Sequence, residues 1–293
     1  MEPPLNTDRM PRPIGDMLPA AFNSGFVEAG GLRLHYLDYG TEGCTPMLCV
    51  HGGGAHAHWF DFVAPGFVTD YHVRALDLRG HGDSSWAAPS SYSNERFAKD
   101  LAEVAEQLDL RDFVLIGHSM GGMISLLYAA TGAQRLGKLV IVDSTMRLSE
   151  GRIAALHDIG NRGGRSYGTR EEFIARYRLL PEGTTAASEI VRYVAHHAGR
   201  QQPDGRWRHK FDRHVYATRK AIDGLAEFEH VGVPTLLVKG ALSGRITPEI
   251  VAQVKARCAH VKVAEVSNSD HNVTLDNPSG FVKVVQTFLD NHS

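Results

Sequence analysis

The stretch Phe113-Val114-Leu115-Ile116-Gly117-His118-Ser119-Met120-Gly121-Gly122-Met123 decides the fold. Four β-type apolar residues run into a knot of small ones, and an apolar helical pattern at Met123, Leu126, Leu127 and Ala130 follows. This is strand, turn, helix. Small residues permit a tight, strained turn that raises the Ser119 hydroxyl above the strand end, while the N-terminus of the following helix faces incoming negative charge. The pentapeptide alone would also suit a tight turn with an incidental serine; the strand before it and the helix after it single Ser119 out as a candidate nucleophile.

Working outward, short apolar runs recur at Met47 to Val50, Val73 to Leu76, Leu139 to Val142, Thr235 to Val238 and Val261 to Val266. Helical stretches lie between several of them. In one, Phe97, Leu101, Val104, Ala105 and Leu108 share a face at 3.6-residue spacing, with Ser93 as N-cap. Another closes the chain, opened by Asn277-Pro278 and carrying Phe281, Val284, Val285 and Phe288 on one face. Strands alternating with helices imply a mostly parallel, doubly wound α/β sheet. Ahead of it, an alternating stretch from Phe26 to Tyr39, broken at Gly30-Gly31, reads as a β-hairpin.

The rhythm breaks once. About ninety residues separate Asp143 from Thr235, against about 2–6 for an ordinary connection in an α/β unit, so an inserted subdomain is expected there. It reads as helical in pieces such as Glu171 to Leu180 and Ser188 to His197. The division that follows is an arm at 1–24, a core at 25–144 and 232–293, and a helical cap at 145–231. The cap carries 13 Arg and 2 Lys against 11 acidic residues, a net of +4, which leaves −6 for the rest of the chain.

The whole chain of 293 residues has 31 basic and 33 acidic side chains and 43% hydrophobic residues, which supports neither disorder nor a nucleic-acid footprint. The first two dozen residues hold Pro3, Pro4, Pro11, Pro13 and Pro19 with no continuous apolar stretch of a signal peptide, and no eighteen apolar residues run together, so no membrane association is expected. Three cysteines, Cys44, Cys49 and Cys258, make a disulfide framework improbable in a chain of this size, and a cytoplasmic setting is expected.

With these motifs the chain resembles the α/β-hydrolase superfamily, in particular its single-insert, cap-bearing serine hydrolases, from about Phe26 to the C-terminus. The segment Asp77-Leu78-Arg79-Gly80-His81-Gly82-Asp83-Ser84 looks like that family's loop after its fourth strand, which is mostly architectural, so neither Asp77 nor Asp83 is given a catalytic role. His51-Gly52-Gly53-Gly54 lacks the Lys-Ser/Thr of a phosphate loop. The resemblance implies instead that this loop gives a backbone amide to an oxyanion hole, at Gly53 by position with Gly54 next, and that Met120 supplies the second amide. It also places the general base at His271, in Asp270-His271-Asn272 between the last strand and the closing helix. His56, His58 and Asp61 carry part of a binuclear metal spacing, but the spacing is wrong, and structural roles are read for them.

The acid is the difficulty. Most relatives place it after the penultimate strand, where this chain has Gly240-Ala241-Leu242-Ser243-Gly244-Arg245 and no carboxylate before Glu249. A serine cannot hold the charge that stabilises an imidazolium. Asp143 ends the neighbouring strand, and parallel strands open their C-termini on one edge, so Ser119 and Asp143 can reach one histidine. A minority branch of the superfamily looks like this, with the acid after the sixth strand; a plain helix-capping role for Asp143 is the alternative. The expected function is cleavage of a carboxylic ester, lactone or amide through Ser119, His271 and Asp143, with no metal or organic cofactor and with a small-molecule substrate, anionic if the arginines of the cap face it rather than solvent. Carbon–carbon bond hydrolysis, cofactor-free dioxygenation and ligand reception with a vestigial triad are the alternatives on the same scaffold.

Overall fold

Each apolar run picked out above is a strand of one sheet. In the computed structural model, which describes residues 20–180 and 183–292, β1 (Asn23–Ala29) and β2 (Leu32–Asp38) form the antiparallel hairpin expected at Gly30-Gly31. The first nineteen residues of the proline-rich arm lie outside the described residues. The last two residues assigned to that arm, Asn23 and Ser24, belong to β1, because they pair with Asp38 and Leu37, and Ser24 Oγ bonds His35 Nε2 at 2.7 Å. β3 (Thr45–Val50), β4 (Tyr71–Leu76), β5 (Phe113–His118) and β6 (Leu136–Val142) follow, then a separate two-stranded pair, β7 (Gly199–Gln201) and β8 (Trp207–His209), then β9 (Thr235–Gly240) and β10 (Lys262–Val266). The eight-stranded sheet runs β1-β2-β4-β3-β5-β6-β9-β10, antiparallel where β2 meets β1 and β4 and parallel elsewhere.

Helices cover both faces, which is why the central strands are continuous apolar runs. Every residue of β5 is buried, and its side chains alternate: Phe113 and Leu115 pack with one core cluster, Val114 and Ile116 with the other. The first cluster takes Phe97, Leu101 and Val104 of α1 (Asn94–Gln107) and Ile124 and Leu126 of α2 (Met120–Ala130). Ser93 caps α1 by accepting from the Arg96 N–H at 3.1 Å.

The chain between β6 and β9 leaves the sheet. It forms α3 (Glu150–Asn161), α4 (Arg170–Arg176), α5 (Ser188–His197), the β7–β8 hairpin, α6 (His214–Ala217) and α7 (Gly224–Glu227). The helix expected over Glu171 to Leu180 ends at Arg176, because Tyr177 turns extended and packs its ring between Phe173 and His209, with centroids 6.2 and 5.7 Å away. Pro181 disfavours helix just beyond. After β9 come α8 (Pro248–Arg257), β10, the short α9 (Val273–Asp276) and α10 (Pro278–Asp290). The last is capped by Asn277, which accepts from the Gly280 N–H at 2.9 Å, and its Phe281, Val285 and Phe288 complete the second core cluster. Among the described residues no helix is long and apolar enough to cross a membrane.

Candidate active site

The strand order reverses at β3. The chain steps from β3 to β4 on one side and then returns to β5 on the other, so the crevice at the C-terminal ends of β3 and β5 is where an α/β sheet of this kind receives its ligand. Ser119 follows β5 there, and the glycines at 52–54 follow β3.

Ser119 sits in the left-handed region, with φ 53° and ψ −115°, between strand and helix. Its surroundings over-determine that strained backbone: its N–H donates to Val142 at 2.8 Å, and Ser144 Oγ donates to its carbonyl at 2.7 Å. Gly121 is required by space, since a Cβ there would collide with the carbonyls of Val50 and His51. The turn therefore has the tightness expected from its small residues.

His271 bridges two other side chains. Its Nε2 lies 2.9 Å from Ser119 Oγ and its Nδ1 lies 2.7 Å from Asp143 Oδ2. With Nδ1–H donating to the carboxylate, Nε2 is left as the acceptor facing the serine hydroxyl; the partners set this tautomer. His118 holds the segment in place by donating from Nε2 to the His271 carbonyl at 2.8 Å. Burial, and after it the Arg245 and Arg152 guanidiniums, lower the His271 pKa to about 3, so the imidazole is neutral at ordinary pH.

Asp143 is fully buried at the tip of β6, with φ 44° and its N–H donating to Val238 at 2.8 Å. Burial pushes its carboxyl above the ordinary value. Hydrogen bonds from Ser243 Oγ to Oδ2 (2.7 Å) and from the Gly240 N–H to Oδ1 (3.4 Å) act against that, as does Arg245, whose Nε is 3.8 Å from Oδ2. Ser119, Asp143 and His271 are thus drawn together from three strand ends. Asp143 also makes no N-cap contact, which removes the capping alternative: the next helix, α3, is capped by Ser149.

Gly53 and Met120 line one cavity of about 280 Å³ together with Ser119 and His271, while Gly54 faces an adjoining one. Neither the Gly53 nor the Met120 N–H has a hydrogen-bond partner among the described residues. His51 fixes the loop from below, its Nδ1 donating to the Gly52 carbonyl at 2.7 Å and its Nε2 accepting from the Leu78 N–H at 3.1 Å. A Cβ on Gly53 would stand 2.8 Å from the Tyr216 ring, so only glycine leaves the backbone bare at this wall.

The sequence reading missed the rest of the wall. Tyr216, Arg152 and Arg219 come from the segment between β6 and β9, and Arg245 from the loop after β9. Arg245 stood in the stretch searched for an acid, whereas nothing set Arg219 apart from a dozen other arginines of the segment.

Asp77 is tied into the loop it belongs to. It accepts from the Ala57 N–H at 2.7 Å and from His35 Nδ1 at 2.7 Å, and although burial alone would raise its pKa, His35 and the Asp83 N–H hold it well below the carboxylate range. Arg79 of the same loop is buried against Asp100 of α1, with Nη2 2.6 Å from Oδ1. Among the described residues two groups could offer metal ligands: His58, Asp61 and His197, and His35, Asp77 and Asp83. In the first, Asp61 already accepts from Tyr39, Tyr193 and His58 at 2.5 to 2.8 Å; in the second, Asp77 is engaged as described. Neither group lines the Ser119 cavity.

Residues 45–278 match the family model described as alpha/beta hydrolase fold. An esterase of Mycobacterium tuberculosis is 28% identical over 272 residues, covering 90% of this chain and 88% of the esterase. An N-formylmaleamate deformylase of Pseudomonas putida is 28% identical over 274 residues, covering 91% of this chain and 96% of the deformylase. Among solved structures, an E-2-(acetamidomethylene)succinate hydrolase superposes with a TM-score of 0.82 over 92% of this chain and all of its own, at 23% identity, a likeness of fold.

Proposed function

The chain belongs to the alpha/beta hydrolase fold family and is an α/β-fold hydrolase, and from that premise we propose that it cleaves a small carboxylic ester, lactone or amide by acyl transfer through Ser119, His271 and Asp143. The observation that carries this reading is the unbroken line from Ser119 Oγ through His271 to Asp143 Oδ2, with steps of 2.9 and 2.7 Å, at the wall of a cavity. The relatives named as an esterase and as a deformylase support hydrolysis at a carbonyl.

His271 Nε2 takes the hydroxyl proton as Ser119 Oγ attacks the carbonyl carbon. The oxygen of the tetrahedral intermediate becomes negative, and the Gly53 and Met120 N–H groups stabilise it, helped by the N-terminus of α2. Asp143 holds the imidazole in its productive tautomer and offsets the positive charge that forms on it. The imidazolium then protonates the departing alcohol or amine. Water, deprotonated by the same nitrogen, attacks the acyl-serine, and the acid is released with Ser119 restored.

Residues 145–231 act in this reading as a cap that selects the substrate, supported by Leu156, Ile159, Tyr216 and Ile222, which that segment contributes to the cavity wall. The unpaired thiols of Cys44, Cys49 and Cys258 support a reducing, cytoplasmic setting. A panel of 4-nitrophenyl esters of graded acyl length tests the reaction class. Wild type should turn over the short members with a burst of nitrophenolate, and Ser119→Ala should abolish both burst and turnover. Turnover surviving in Ser119→Ala would end the proposal.

A further inference from the structure

One charged side chain at the Ser119 cavity is buried without an ion pair among the described residues; Glu95 acts on it only from beyond ion-pair distance. Arg219 follows α6, and its main chain is held on both sides: its N–H donates to Tyr216 at 3.2 Å, and its carbonyl accepts from His157 Nε2 of α3 at 2.7 Å. The side chain lines the cavity that holds Ser119 and His271. It is 6% exposed, its Nη1 is sealed from solvent with no hydrogen-bond partner, and among the described residues no carboxylate lies within ion-pair distance of it. Burial lowers its pKa to about 10, which leaves it charged at neutral pH.

Arg79 shows how this fold treats a structural arginine. It is buried to the same degree, and the Asp100 carboxylate receives its guanidinium in a two-pronged pair. A buried charge is ordinarily retained only when it is paired and hydrogen-bonded. At Arg219 no such partner is present among the described residues, and the residue lines the cavity that holds Ser119. Arg245, also at the cavity, is engaged with Asp143 and Thr145. Arg152, at the cavity too, has no ion pair among the described residues but is exposed to solvent, so Arg219 is the buried guanidinium left unclaimed.

We infer that Arg219 binds a carboxylate of the substrate, so that the compound cleaved at Ser119 carries its own carboxylate a few bonds from the scissile carbonyl. This rests on the acyl-transfer reading above and narrows it to half-esters or half-amides of small dicarboxylic acids and their like. A planar fork of donors matches a carboxylate in bidentate fashion, and one guanidinium neutralises its single charge, whereas a phosphate monoester carries nearly two at neutral pH. Met123, Leu156, Ile159 and Ile222 supply apolar wall suited to the methylenes between the two carbonyl carbons.

Binding to the Ser119→Ala protein separates this anchor from catalysis. Calorimetric titration with monomethyl succinate, glutarate and adipate, each beside its dimethyl ester, should find the best monoanion bound about 10- to 100-fold more tightly than its neutral partner. Adding Arg219→Met should erase that preference and leave dimethyl ester affinity unchanged; Arg219→Gln gives the same comparison with a polar side chain. Without ligand, Arg219→Met in the otherwise wild-type chain should melt no lower than wild type, since it removes an uncompensated charge, whereas a structural arginine would lose stability. Equal binding of monoanion and diester by the Ser119→Ala protein, or a preference that survives both Arg219 substitutions, overturns the inference. If the preference runs through Arg219 but Ser119 takes no fluorophosphonate, the anchor stands and the acyl-transfer reading falls. Labelling of Ser119 with no preference for the anion brings down the anchor alone.

Discussion

Ser243 donates its hydroxyl to Asp143 Oδ2 at 2.7 Å, the same oxygen that receives His271 Nδ1. The residue standing where the resemblance puts an acid thus supports the acid of the neighbouring strand. On the proposed mechanism, Asp143→Asn should fold with nearly unchanged melting temperature and lose about 10⁴ in kcat, the cost of the wrong imidazole tautomer in a serine protease. Ser243→Ala removes one charge-assisted hydrogen bond and should cost about tenfold. Ser243→Asp placed in the Asp143→Asn protein should recover part of the loss. Substantial turnover by Asp143→Asn alone would mean that this carboxylate does not serve the histidine.

The bare backbone at Gly53 gives a second test. In Gly53→Ala the new methyl presses on the Tyr216 ring and moves the amide that, on the proposed mechanism, faces the developing oxyanion. A fall of about 10²–10³ in kcat is expected with KM changed little, as for loss of one oxyanion donor. A change confined to KM would place Gly53 in substrate binding only.

On the proposed mechanism the pH profile follows from the depressed pKa of His271, which can act as the base only while neutral. Activity is therefore retained as pH falls below the ordinary histidine value of about 6.5 and is lost only well beneath it. Arg245→Gln takes away a positive neighbour, raises the imidazole pKa and should move the acid limb of kcat/KM to higher pH. An acid limb near 6.5 in wild type, unmoved in Arg245→Gln, would contradict this electrostatic account.

Stability should respond to the same groups. His81, His118 and His271 are buried, and burial lowers each pKa to about 3. Between about pH 6.5 and 3 the unfolded chain binds more protons at these sites than the folded one, so stability rises with pH across that window and is lost as pH falls through it. Each histidine contributes a slope of up to about 1.4 kcal/mol per pH unit. Urea unfolding at pH 7 and pH 5 should show a clearly lower midpoint at pH 5; equal midpoints would contradict the burial of neutral imidazoles.

The parallel sheet was legible because its central strands are buried on both faces and so write themselves as unbroken apolar runs, as Phe113 to Ile116 does. Asp143 could be picked out from sequence as the candidate acid because a serine stood where an acid was expected and β6 ends beside β5. The segment between β6 and β9 was harder. No residue of α3 is buried, so the helix has no core face to betray it, and Ile159 and Leu156 line the cavity instead. β7 and β8 are three residues each, too short for a period, although Pro203-Asp204-Gly205 between them is a turn signal. Arg219 was beyond reach, since lacking a partner is a property of three-dimensional surroundings.

The central claim is that Ser119 is a nucleophile activated by His271. Intact-mass analysis of the full chain after fluorophosphonate treatment, followed by peptide mapping, tests it most directly. The account predicts one adduct per chain, on Ser119, formed rapidly in wild type, much more slowly in His271→Ala and not at all in Ser119→Ala. An adduct that persists in Ser119→Ala, or a wild-type protein that stays unlabelled, would contradict it.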